Sequence, residues 1–113
     1  MEIAKVLHYA PGETFAVHFD YLNPDEPAYA AQLADRGQRT DTFLIYLNDD
    51  FTGGETHFPK IELSHRGAKG DAIWFSNVDA TGKPDEDTIH AGLPPETGEK
   101  WLFSQWIREF PKA

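Results

Sequence analysis

The sequence predicts an all-β protein of the double-stranded β-helix, or jelly-roll, type with one short inserted helix. Short apolar runs recur at close spacing, separated by Gly, Pro, Asn and Asp. About eight such runs are present, enough for a sandwich or barrel. One segment alone carries helix-forming composition. The length of 113 residues fits a single domain over 1–113 with a sizeable core.

The elements follow in order. Residues 3–9 read as a strand stopped by Ala10, Pro11 and Gly12. Residues 15–21 (FAVHFDY) alternate, placing Phe15, Val17, Phe19 and Tyr21 on one face and Ala16, His18 and Asp20 on the other. Residues 24–37 (PDEPAYAAQLADRG) read as a short helix within a long connection, capped by Asp25, with Pro27 in its first turn and Gly37 as its stop. Residues 42–48 (TFLIYLN) are apolar on both faces and read as a buried strand. DDFTGG is a turn, and residues 55–58 and 61–65 flank a second turn at Pro59. Residues 71–76 (DAIWFS) form a strand whose Trp74 and Phe75 are expected in the core. Residues 88–91 are a short strand, and residues 100–108 (KWLFSQWIR) a long final one.

Composition excludes several classes. No apolar run approaches membrane-spanning length, so no membrane partner is expected. The N-terminal stretch MEIAKVLHYAPGE lacks the features of a signal peptide, and a cytoplasmic location is expected. The chain has no cysteine, which removes disulfides and thiolate metal sites. A net charge of -9 argues against sequence-independent nucleic-acid binding.

The residues that carry chemistry begin with His18 and Asp20. Two apart on a strand, they leave one face about 7 Å apart along the backbone, close enough to converge on one ion. A lone His-x-Asp usually marks two surface residues, so a third ligand decides the matter. His90, in DTIHAG, is the best candidate; His8, His57 and His65 are its competitors. Two histidines and one carboxylate with open coordination positions make the facial triad of non-haem Fe(II) oxygenases. Lys100 opens the last strand, where alternation puts it on one face with Leu102, Ser104 and Trp106. A lysine there is either a snorkelling surface residue or the counterion of a dicarboxylate.

An ordered set of motifs then resembles a known family. His18-Phe19-Asp20, Tyr46-Leu47-Asn48, Gly53-Gly54-Glu55-Thr56, Phe58-Pro59, Gly70-Asp71-Ala72, His90-Ala91-Gly92 and Lys100-Trp101 fall in the order of the prolyl 4-hydroxylase catalytic domain. This domain is part of the 2-oxoglutarate/Fe(II)-dependent dioxygenase superfamily. The resemblance runs from about Tyr9 to Arg108. It implies that His18, Asp20 and His90 are the metal ligands and that Lys100 pairs with the distal carboxylate of 2-oxoglutarate. Tyr9 and Thr56 would line the co-substrate pocket, and Arg39 and Trp106 would lie near a peptidyl substrate. Phe15 stands where some members carry a tyrosine that helps hold substrate. The family usually has helices and strands before the tyrosine-bearing strand, and the sequence starts almost at that strand: either a sheet face is bare, which would favour a homodimer, or the chain is a piece of a longer protein.

The implied cofactors are Fe(II), 2-oxoglutarate and dioxygen as co-substrates, and ascorbate. The implied reaction is hydroxylation of a C–H bond, on a prolyl or similar residue of a peptide or protein, coupled to oxidative decarboxylation of 2-oxoglutarate to succinate. The 24–37 connection is expected to fold over substrate as a lid. Three other readings stay open: a hydroxylase of a free amino acid or small metabolite, a non-catalytic jelly roll that binds metal or ligand, and a cupin-type metalloenzyme. The last needs no dicarboxylate anchor, so Lys100 speaks against it.

Overall fold

Strict alternation along the last apolar run sets the frame. In the computed structural model, which describes residues 2–110, strand β10 (Lys100–Arg108) buries Lys100, Leu102, Ser104, Trp106 and Arg108 on one face. β10 lies between β1 (Lys5–Tyr9) and β3 (Arg39–Tyr46), and β7 (Ala72–Ser76) flanks β3. All three pairings are antiparallel. Register aligns the inward residues in rows: Leu7, Leu102 and Tyr46 in one, Ser104, Leu44 and Ile73 in the next, Trp106, Thr42 and Phe75 in a third.

A second four-stranded sheet has the order β2 (Phe15–His18), β8 (His90–Gly92), β5 (Thr56–Phe58) and β6 (Leu63–His65). Phe58 of this sheet meets Phe75 of the first edge to face, with centroids 5.3 Å apart. Tyr9, Tyr46, Phe51 and Leu102 form the buried apolar cluster, with Leu7 and Ile73 packed against it. The observed all-β architecture with one short helix is the jelly-roll type that the sequence predicts.

Several boundaries differ from expectation. β4 (Thr52–Gly53) and β9 (Pro95–Thr97) form an extra two-stranded ribbon within segments whose Gly and Pro read as turns. β2 ends at His18, and a register shift between Phe15 and His18 breaks the simple alternation. Phe15 and His18 therefore stack on each other, ring centroids 4.2 Å apart, instead of pointing to opposite faces. The 24–37 segment forms a 3-10 turn (Pro27–Tyr29) followed by α1 (Ala30–Arg36). Asp25 caps neither; its own N–H bonds to Asn23 Oδ1 (2.9 Å) in a local Asx turn that competes with capping. Gly37 does end the helix, at φ +74° with its N–H on the Leu33 carbonyl.

Trp74 lies outside the core. It is 58% exposed on the outer face of the first sheet, and its indole N–H donates to Asp41. Val6 and Trp101 are also exposed on that face. Odd-numbered positions of β10 and their neighbours turn outward, so the aromatic content of the strands is divided between the two sides of the sheet.

Gly98 makes the tight turn into β10. At φ +76°, a Cβ there would lie 2.5 Å from the Asp50 carbonyl oxygen and 3.0 Å from Phe51 Cα. Gly12 has a similar φ of +84° but open space around it. Gly98→Ala is expected to cost roughly 2–4 kcal/mol, backbone strain plus overpacking, and Gly12→Ala only about 1. Urea unfolding midpoints measure both; equal losses would refute the steric part of this account.

Candidate metal centre and co-substrate pocket

His18 ends β2 and His90 begins β8, and the two are direct cross-strand partners. Asp20 follows two residues after His18, where the chain has left the strand and bends inward. His18 Nε2 is 3.2 Å and His90 Nε2 3.6 Å from Asp20 Oδ1. Ligand atoms of all three lie within 4.8 Å of one another.

The other ring nitrogens are committed elsewhere. His18 Nδ1–H donates to the Ala16 carbonyl and His90 Nδ1–H to the Thr88 carbonyl, both at 2.7 Å. Each bond places the proton of the neutral ring on Nδ1 and leaves a lone pair on Nε2, the arrangement expected of a metal-bound imidazole; without a metal, a second proton on His18 Nε2 would bond Asp20. Two imidazole nitrogens and one carboxylate oxygen, so oriented, fit a divalent first-row metal such as Fe(II) with coordination positions left open.

Burial and charge act on the three groups differently. Burial alone would raise the Asp20 pKa, but the His18 hydrogen bond, the His90 ring and the Thr42 hydroxyl hold it down at about 2. Burial works against protonation of His18, yet the Asp20 and Ala16 contacts outweigh it and leave its pKa raised. For His90 burial prevails and the pKa is lowered, which keeps this ring neutral and available as a donor. Phe58 and Phe75 pack on the His90 ring at 5.5 and 5.1 Å and shut water from that side.

A cavity of about 370 Å³ opens from this cluster. Its walls include Tyr9, Thr56 and Gly92 at one end and Arg39, Trp106 and Tyr29 at the other. Gly92 has to be small, because a Cβ would come within 2.9 Å of the Tyr9 hydroxyl. Lys100 is fully buried beside Tyr9: its Nζ lies 4.1 Å from the ring centroid and donates to the Gly54 carbonyl at 2.9 Å. Burial lowers its pKa to about 8, with Glu55 opposing part of the shift. Burial likewise pushes the Tyr9 phenol up to about 12, so it stays a neutral hydrogen-bond donor. Thr56 bonds the Tyr46 hydroxyl at 3.0 Å.

At the outer end the Arg39 guanidinium stacks over Trp106 at 4.0 Å and is held there by Glu2 through Nε (2.7 Å). Glu2 also takes Arg108 (2.7 Å), whose guanidinium reaches the Gly37 carbonyl at the end of α1. The competing histidines lie elsewhere. His8 bonds Glu99, His57 bonds Ser64, and His65 packs edge-on to Tyr46.

Sequence reasoning did not find Thr42 or Asn77. Thr42 Oγ1–H donates to Asp20 Oδ2, and Asn77 Nδ2 donates to Thr42 Oγ1, both at 2.8 Å. The only signal available was a hydroxyl on the inward side of an otherwise apolar strand.

Comparison with known proteins agrees with this geometry. Residues 4–108 match the family model of the 2OG-Fe(II) oxygenase superfamily. The chain is 36% identical over 108 residues to human prolyl 4-hydroxylase subunit alpha-1, covering 96% of this chain and 20% of that protein. It is 36% identical over 121 residues to Arabidopsis thaliana prolyl 4-hydroxylase 1, of which it covers 41%. The chain thus spans less than half the length of these relatives. Among solved structures it superposes on the 2OG complex of the viral collagen prolyl hydroxylase of Paramecium Bursaria Chlorella virus-1. That match has a TM-score of 0.81 and 35% identity, over 98% of this chain and 60% of that one. A Pseudomonas putida prolyl-4-hydroxylase shares the fold, with a TM-score of 0.62 at 22% identity. Motif order, a buried His-Asp-His cluster and a family match over nearly the whole chain converge: the chain belongs to the 2OG-Fe(II) oxygenase superfamily.

Proposed function

We propose that this domain is a 2-oxoglutarate- and Fe(II)-dependent dioxygenase that hydroxylates a C–H bond of a prolyl or similar residue in a peptide or protein. One observation carries the reading. Two histidines and one buried carboxylate converge at a cavity whose wall includes Tyr9, against whose ring a buried lysine packs. His18, Asp20 and His90 would hold the metal. Lys100, with Tyr9 and Thr56, would receive 2-oxoglutarate. Fe(II), when bound there, would supply the oxidising chemistry that couples decarboxylation of 2-oxoglutarate to succinate with hydroxylation of the substrate.

The chain's own residues do the rest. Lys100 offers a charge-assisted hydrogen bond to the far carboxylate, and Tyr9 a neutral donor beside it. The Phe58 and Phe75 rings keep the His90 side dry. Trp106 gives a flat apolar wall at the mouth, and Arg39, fixed over it by Glu2, gives donors to a substrate backbone. The prolyl hydroxylase relatives support a peptide substrate for that mouth. Tyr29 reaches the cavity from the 24–37 connection, which supports reading that segment as a cover over substrate. Among the described residues, no helix is long and apolar enough to cross a membrane.

Anaerobic addition of Fe(II) and 2-oxoglutarate should produce a visible charge-transfer band. His18→Ala should abolish the band. Lys100→Ala should retain it but need roughly 30-fold or more 2-oxoglutarate, because removing one partner of a buried charge pair costs at least about 2 kcal/mol. Absence of the band in folded wild-type protein would sink the reading.

The Lys100 pKa makes a second demand. Below pH 8 the free protein holds the ammonium. Above that value the amine is neutral and must regain a proton when the dianion binds. Affinity for 2-oxoglutarate should therefore be flat from pH 6.5 to 7.5 and fall toward about tenfold per pH unit above 8. Calorimetry on Mn(II)-loaded protein measures this; an affinity independent of pH up to 9.5 would remove Lys100 from the co-substrate site.

A further inference from the structure

The metal cluster is built on the β2–β8 sheet, yet its carboxylate is held from the opposite sheet. Thr42 lies on the inner face of β3, fully buried, and Asn77 follows β7 at 1% exposure. The Thr42 hydroxyl has one proton. Donating it to Asp20 Oδ2 leaves its lone pairs to accept from Asn77 Nδ2, so the direction of both bonds is fixed. The Asp20 oxygen that faces Nε2 of both histidines is the other one, Oδ1.

The backbone of Asn77 has a further part. Its N–H donates to the Thr40 carbonyl (2.7 Å), clamping it to β3. Its carbonyl accepts from Asp85 N–H (3.0 Å). Asp85 caps the 3-10 turn Glu86–Thr88, and the Thr88 carbonyl at the end of that turn accepts the His90 Nδ1 proton. One buried residue thus reaches Asp20 through its side chain and the His90 support through its main chain.

Resting on the metal-site reading above, we infer that Thr42 and Asn77 are positioning residues for the metal centre: they hold Asp20 as a one-oxygen ligand and set its placement against His90. A ligating carboxylate with one oxygen tied to a hydroxyl gives the other more readily, and here that other oxygen, Oδ1, already faces both histidines. The Trp106 indole N–H, buried without a well-aligned partner, lies close enough to Asp20 to favour its charged form and completes the surroundings of the carboxylate.

The test is metal affinity measured against a chelator, with Mn(II) and Co(II) as probes, in wild type, His18→Ala, Thr42→Val, Thr42→Ser and Asn77→Ala. Loss of a hydrogen-bonding partner of a ligand typically weakens metal binding about 10- to 100-fold. Thr42→Val should show that loss, Thr42→Ser should stay within about threefold of wild type, and Asn77→Ala should fall between. The Co(II) visible spectrum should change in Thr42→Val, as the freed carboxylate takes a second coordination position, and remain as wild type in Thr42→Ser. The Thr42→Val/Asn77→Ala double variant should lose no more than Thr42→Val alone, because the two act in series. Wild-type affinity and spectrum in a folded Thr42→Val, or equal weakening by serine and valine, would overturn the inference. If Thr42→Val does not fold, wild-type affinity in Asn77→Ala overturns it. Unweakened metal binding by His18→Ala is a different failure, that of the metal site itself.

Discussion

The buried carboxylate of Asp20 is the constraint on which the two sheets agree. An isolated anion at that depth would be strongly unfavourable, so the fold must bring polar partners to it. They come from both sides. His18 and His90 approach from the β2–β8 sheet, and the Thr42 hydroxyl from the middle of the other. Asp20 itself lies on neither sheet. It stands just past the end of β2, where the bulge has already disturbed the ladder and the chain can turn its carboxylate inward. The same bulge brings Phe15 onto the His18 ring, so one backbone irregularity places His18, its neighbour and part of the cavity wall.

The histidines are constrained by local geometry. Each accepting carbonyl belongs to the residue two positions earlier, Ala16 for His18 and Thr88 for His90. The orientation of both rings is thus settled within three-residue stretches, and tertiary structure has only to bring the stretches side by side. Cross-strand pairing of His18 with His90 does that, stacking the rings at 4.4 Å. Asp20 has no such local support, and so its placement depends on the relay through Thr42.

This division explains how far the candidate site was legible in the sequence. His18, Asp20 and His90 sit in short motifs, and so do Lys100 and Thr56; a motif is a local statement and survives being read in one dimension. The long alternating strand 100–108 was legible for the same reason, since period two decides every inward residue on it. The β4–β9 ribbon was not, because its residues are chosen for a long-range pairing and carry turn-like composition. Trp74 was misread because β7 is an edge strand whose outer face holds an aromatic by a single hydrogen bond to Asp41. Asn77 was illegible altogether. Nothing near it in the chain indicates that a buried amide will meet a hydroxyl 35 positions away.

Charge balance gives the last step. Besides the Lys5 and Arg39 cations that line the cavity, its region holds the ionised Asp20 and a buried amine, Lys100, whose pKa burial lowers to about 8. Glu55 opposes that shift only from a distance, and the amine's hydrogen bond goes to a neutral carbonyl. A divalent metal at the His-Asp-His cluster and a dicarboxylate reaching from it to Lys100 would together bring no net charge. Each would also offset what the other leaves: Asp20 and the histidines would hold the metal, and Lys100 would meet a carboxylate of the diacid. Bound together they would leave the local charge as it was, which neither does alone, and in a low-dielectric cavity that difference favours their binding together. The acidic surface of the chain, at a net charge of -9, plays no part in this local balance. A lysine buried against Tyr9, distinct from the Lys5 and Arg39 cations that line the cavity, is the group that would favour a dicarboxylate there.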